Sequence, residues 1–139
     1  MEEMPEVVER FWRGVDAHDW DLVATCLADE FVRIGMNDTE ADTCRGKDAY
    51  LRFLAGVIGR FDHHRLESRS GYASLDRCRV THEAIETIQP PGEEPLSMRF
   101  VNVMKLNDEG LISELDIFWK TPTRMPPAWI SVESVLTQP

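Results

Sequence analysis

The sequence predicts an α+β fold, with three N-terminal helices packed on one side of a curved antiparallel sheet. Three observations carry that expectation. Apolar residues recur at helical spacing up to Phe61; beyond His63 they alternate every second residue; and the alternating runs are separated by turn-forming residues. Helices first and hairpin-linked strands afterwards place the helices on one face of the sheet.

The first helix runs from Pro5 to His18, where Val7, Phe11 and Val15 recur every fourth residue with Val8 and Trp12 beside them. Asp19 is positioned to cap a short second helix carrying Trp20, Val23 and Leu27. "FVRIGM" reads as a short strand, and "NDTEADTCRG" as a polar loop ending at Gly46. Tyr50, Leu51, Leu54, Val57, Ile58 and Phe61 then mark a third helix. "RLESRSGY", "RCRVTHEAIETI", "LSMRFVNVMKL" and "LISELDIFWK" are the strands of a meander, divided by turns at Asp76, "QPPGEEP" and "NDEG". The tail from residue 121 to 139 contains four prolines and reads as a non-sheet extension, anchored by Trp129 and Ile130, to a core spanning about residues 5–120 of a single domain.

At 139 residues with 42% hydrophobic content, the chain has the length of one domain and can bury roughly two-thirds of its extended surface. A net charge of −10 without a basic run argues against nucleic acid, whose affinity for proteins comes from clustered cations. Neither a signal-peptide run nor a membrane-spanning stretch is present, so the expected location is cytoplasmic. Cys26, Cys44 and Cys78 are odd in number and lack metal-binding spacing, which indicates reduced structural thiols. No cofactor or metal is expected. Asp38, Glu40 and Asp42 lack the glycine and closing glutamate of a calcium loop and read as a solvated loop over a pocket mouth.

Strand parity determines which residues share a face. On the strand from Leu96, the face carrying Met98, Phe100, Asn102 and Met104 is apolar except for Asn102 and is the buried one. If Leu106 lies opposite Leu111, then Asn102 faces Leu115, Phe100 faces Ile117, and Met98 faces Trp119. Asp116 then points outward, diagonal to Arg99, with which it is expected to pair; a one-residue bulge would turn it inward. If Ile88 pairs with Leu96, Glu86 faces Met98, Ala84 faces Phe100, and His82 faces Asn102. The outer face, with Val101, Val103, Ile112 and Phe118, holds enough apolar surface to predict a homodimer.

The pattern resembles the nuclear transport factor 2-like superfamily, the cone-shaped α+β barrels that include ketosteroid isomerases, SnoaL-like polyketide cyclases and limonene-epoxide hydrolases. The residues carrying the resemblance are "VVERFWRGVDAHDWDLVATCLADEF", "RGKDAYLRFL" and "EGLISELDIFW". Matched without gaps, the isomerases' catalytic tyrosine corresponds to Phe11 and their general-base aspartate to Gly35, while their second oxyanion-holding acid corresponds to Asn102. The epoxide hydrolases' Arg, Asp and final-strand Asp correspond to His82, Ala84 and Ile117. Their water-binding tyrosine and asparagine correspond to Arg33 and Gly35. Asp116 is the final-strand candidate for the cyclases' aspartate. The fold hosts several chemistries and also binding modules.

The residues themselves nominate His82 as a proton carrier, with a buried core histidine as the bland alternative. Asn102 opposite it can orient the ring or hold a substrate oxygen. Arg33, inward by parity, either faces the cavity or pairs at its rim with an acid of "NDTEAD". Phe11, Trp12, Phe53, Phe100 and Trp119 are the expected aromatic lining, each also readable as core. His63 and His64 are expected to be solvent-exposed, and His18 to sit at a helix end. Together these predict a cofactor-independent acid/base enzyme for a hydrophobic, oxygen-bearing small molecule of polyketide or terpenoid type. An isomerase, cyclase, dehydratase or epoxide hydrolase would fit, and a non-catalytic ligand-binding or interaction module is the alternative.

Overall fold

The structure, a computed structural model, describes residues 2–120; the proline-rich extension, with Trp129 and Ile130, lies outside them. Its elements are β1 (Glu2–Glu3), α1 (Glu6–Ala17), α2 (Trp20–Ala24), β2 (Leu27–Ile34), a 3-10 turn (Glu40–Asp42), β3 (Thr43–Arg45), α3 (Lys47–Ile58), β4 (His63–Ala73), β5 (Arg79–Gln89), β6 (Leu96–Leu106) and β7 (Ile112–Trp119). All three expected helices are present. The Asp19 carboxylate accepts from the Leu22 N–H at 3.1 Å, starting α2. α1 closes on His18, which adopts the left-handed conformation (φ 57°) and returns its N–H to the carbonyls of Gly14 and Val15.

The strands form one curved, unclosed sheet in the order β1-β4-β5-β6-β7-β2-β3. β1 and β3 are additions to the sequence reading; β3 emerges from the stretch expected to be all loop. The sheet is also not wholly antiparallel, because β2 lies parallel to β7. Gly46, at φ 93°, caps α3 and turns the chain from β3 into that helix, a conformation that favours glycine.

On β5 and β6 the register is the expected one: Ile88 opposite Leu96, Glu86 opposite Met98, Ala84 opposite Phe100, and His82 opposite Asn102. The β6–β7 register is displaced by two residues, with Asn102 opposite Ile117 and Phe100 opposite Trp119. At the turn Leu106 stands opposite Ile112, one residue beyond Leu111, and a bulge between Lys105 and Leu106 adds the second residue of the shift; Ile112 is turned inward and fully buried. That residue therefore leaves the outer apolar face, which keeps exposed Phe118 and half-buried Val101 and Val103.

Because the bulge lies at the hairpin end of β7, Asp116 stays on the outer face opposite Val103. It does not pair with Arg99, whose guanidinium donates to Glu83 at 2.8 Å. Burial, with Asp38 and Glu114 nearby, pushes the Asp116 carboxyl above the usual range.

The core lies between α1, α3 and the inner sheet face. Val8, Phe11, Trp12 and Val15 of α1 pack with Tyr50 and Ile58 of α3 and with Ala84, Phe100, Met104 and Leu115 of the strands. Burying each large apolar side chain stabilises by about 1.5–3 kcal/mol relative to exposure. Among the described residues no helix is long and apolar enough to cross a membrane.

Candidate functional site

A cavity of about 320 Å³ opens between α1, α3 and the inner sheet face, within the range of about 300–1,000 Å³ typical of ligand sites. Trp12, Phe53, Phe100 and Trp119 line it, with Leu54, Val57, Ile58, Ile88, Met98, Leu115 and Ile117. The Phe100 and Trp119 rings stack at 4.8 Å because the displaced register sets them directly opposite one another. Phe11, expected on the wall, is instead fully buried behind it, edge-on to Trp12 at 4.6 Å.

Three charged groups reach the wall: Arg33, Asp42 and Glu86. Arg33 resolves its two alternatives by doing both. It lines the cavity, and its Nη1 donates to the Asp42 carboxylate and carbonyl, each at 3.2 Å. The guanidinium also lies over the Phe53 ring at 4.7 Å. Asp42 is held by Asn37 as well, whose backbone N–H and side-chain amide both donate to it at 3.1 Å. Burial raises its carboxyl, but these donors outweigh burial and hold it below the usual range. Gly35 makes this possible, since a Cβ there would collide with the Asp42 carboxylate. Burial pushes the Tyr50 phenol up, Arg33 opposing and Glu86 reinforcing, so the hydroxyl stays protonated and able to donate.

His82 and Asn102 do meet, their Nδ1 and Nδ2 atoms 3.4 Å apart on adjacent strands. Neither lines the cavity: both are 0% exposed, and Trp12, which does line it, stacks on the His82 ring at 4.7 Å and 14°. His82 Nε2 lies 2.9 Å from the Ser68 hydroxyl. Burial lowers the His82 pKa to about 4, so the ring is neutral near pH 7. Asn102 Oδ1 and Trp12 Nε1 are buried without a hydrogen-bond partner.

The residues that sequence reasoning passed over are Glu86, His64 and Tyr50. Glu86 already stood on the inward face in the β5 register, two positions past Ala84. His64 shares its parity with buried Leu66, yet was expected to be exposed with His63; it is only 7% exposed while His63 is exposed. Its Nε2 is 3.6 Å from a Glu86 oxygen, and its Nδ1 is 3.0 Å from His18 Nε2. Among the described residues no three His, Cys, Asp or Glu side chains are gathered so as to hold a metal ion.

The SnoaL-like domain model matches residues 8–115, and the chain belongs to that family. In fold it is similar to the Δ5-3-ketosteroid isomerase of Mycobacterium sp. (22% identity over 86% of this chain and 95% of that one, TM-score 0.71). It is likewise similar to a Mycobacterium tuberculosis protein in complex with estradiol-17β-hemisuccinate (24% identity, 82% and 91% coverage, TM-score 0.71). A putative polyketide cyclase of Sinorhizobium meliloti also matches (18% identity, 81% and 94%, TM-score 0.64). No curated protein matches the sequence.

Proposed function

We propose that the chain is a cofactor-independent acid/base enzyme acting on a hydrophobic, oxygen-bearing small molecule of isomerase, cyclase, dehydratase or epoxide-hydrolase type. The observation that carries this reading is an aromatic cavity whose wall presents, besides the Arg33-paired Asp42, a second carboxylate, Glu86, in the same space as a guanidinium and a protonated phenol. Asp42 is committed to Arg33 and Asn37. Glu86 is the carboxylate placed to take a proton from a substrate carbon or hydroxyl, with Arg33 and Tyr50 donating to the oxygen on which charge develops. The proton-moving role that sequence alone gave to His82 passes to Glu86, because His82 is walled off by Trp12.

The known relatives support a hydrophobic occupant: one is an isomerase of 3-ketosteroids and another is seen with an estradiol ester. The protein is expected to work in the cytoplasm, as a homodimer joined through the outer sheet face around Phe118.

The deciding experiment is a panel of hydrophobic ketones, enones and epoxides, including deuterium exchange into 2-tetralone in D2O, read by mass spectrometry and NMR. Turnover of at least one class, lost in Glu86→Gln with binding retained, is the expected result. Binding across the panel with no turnover would instead make the chain a ligand-binding module.

A further inference from the structure

The cavity is separated from a second opening by a thin wall. Ile58 and Phe61 line both the cavity and a neighbouring pocket of about 380 Å³, whose remaining lining includes His18, Trp20, His63 and His64. Three titratable side chains cross that wall in series. Glu86, on the cavity side, lies diagonally across the β4–β5 ladder from His64, since His64 pairs with Ile88 and Leu66 with Glu86. His64 is buried in the wall with Nε2 facing the Glu86 carboxylate, and that nitrogen has no hydrogen-bond partner. Its other nitrogen contacts His18 Nε2 at 3.0 Å, and the His18 ring stacks on Trp20 in the second pocket.

The alignment is held from outside. Asp16, two residues before His18, accepts the Leu66 backbone N–H at 2.7 Å and so pins the end of α1 to β4 beside His64. The left-handed turn at His18 then directs its ring back toward the strand.

We propose that His64 relays protons between Glu86 in the cavity and His18 at the second opening, so that a proton taken from substrate has a route to solvent while substrate fills the cavity. The inference rests on the reading of Glu86 as the proton-moving group. With Glu86 ionised, His64 keeps its ring proton on Nε2, facing the carboxylate; once Glu86 carries a proton and His64 is in its Nδ1–H form, the Glu86 O–H donates to the Nε2 lone pair. Nε2 gains that proton as Nδ1 releases its own to His18 Nε2, and His18 gives one up from Nδ1 to water. His64 ends as the opposite tautomer, and the reverse passage restores both the tautomer and the proton on Glu86. Imidazole suits this role because it carries a donor and an acceptor at opposite edges of one ring. His64 is thus a positioning and relay residue, not one that touches substrate.

The test uses the full chain labelled with 15N-histidine. Exchange of the His64 ring proton with solvent should slow about tenfold in His18→Asn, a substitution that suits the left-handed cap but cannot pass a proton. The His64 tautomer should change in Glu86→Leu. Unchanged exchange in the first variant, or an unchanged tautomer in the second, with backbone amide exchange as in the wild type, overturns the relay. On the ketone probe, His64→Gln should lower turnover about tenfold with its Kd kept, less than the loss in Glu86→Gln, and added imidazole should restore turnover in His64→Gly. Full turnover in His64→Gln beside a crippled Glu86→Gln sinks the relay and leaves the catalytic reading standing. A wild type that shows the exchange behaviour yet turns over nothing sinks the catalytic reading and leaves the proton path.

Discussion

Strand β5 carries two polar side chains on the same inner face four residues apart, and they have opposite fates. His82 sits where α1 presses Trp12 flat against the sheet; its nitrogens are taken by Ser68 and Asn102, and no part of it reaches solvent or cavity. Glu86 sits where Trp12 and α3 stand apart, leaving a hollow that its carboxylate faces. The difference teaches that inward parity is necessary for chemistry but not sufficient. What separates a structural polar residue from a reactive one is whether the opposing layer touches it.

The most forceful way to break this comparison is to remove the covered residue. His82→Ala leaves a void under Trp12 and strands the Asn102 amide, which should cost about 4 kcal/mol in chemical denaturation while the folded fraction keeps its turnover. A stable variant with lost activity would return the catalytic role to His82.

Acid sharpens the same contrast. With its pKa lowered to about 4 from 6.5, His82 is neutral in the folded protein over a range where the unfolded chain binds a proton. Stability is therefore full above about pH 6.5 and declines as pH falls toward 4, by roughly 3 kcal/mol. His18, lowered by burial and by His64, acts in the same direction. Denaturation curves at several pH values should show the decline flattened in His82→Gln; an unaltered slope would mean that His82 is not the buried neutral group described.

Glu86→Gln, at the open end, should reduce turnover about 10²-fold with little change in melting temperature, the mirror image of His82→Ala. The smallest effect is expected on the outer face. Asp116 is opposed by Asp38 and Glu114, so Asp116→Asn should stabilise by about 0.5 kcal/mol at neutral pH. Its raised pKa means that this gain fades as pH falls and the carboxyl protonates. Destabilisation by the variant would show that a cation holds Asp116 after all.

Much of the frame was legible because it depends on local periodicity. The α1 stripe, the Asp19 cap and the β5–β6 register, down to His82 opposite Asn102, all follow from spacing and alternation along the chain. The β6–β7 displacement was not legible, because a bulge at the hairpin depends on how the "NDEG" turn is closed by Asn107, whose side-chain Oδ1 accepts the N–H groups of Glu109 and Leu111. His64 was readable by parity with Leu66 but was passed over because it neighbours exposed His63. Asp42 was grouped with a solvated loop, and nothing local says that the chain folds it back over Gly35 onto Arg33.

Local spacing along the chain dictates the elements, their order, and the face of each strand that turns away from water, since side-chain direction and apolar period are properties of neighbouring residues. Where along that face the layers separate, and so which buried polar groups are spent on each other and which are left facing a hollow, is fixed by long-range packing alone. That outcome depends on the shapes of side chains brought together from distant parts of the chain, Trp12 over His82 and Tyr50 and Phe53 across from Glu86, and no single segment encodes it.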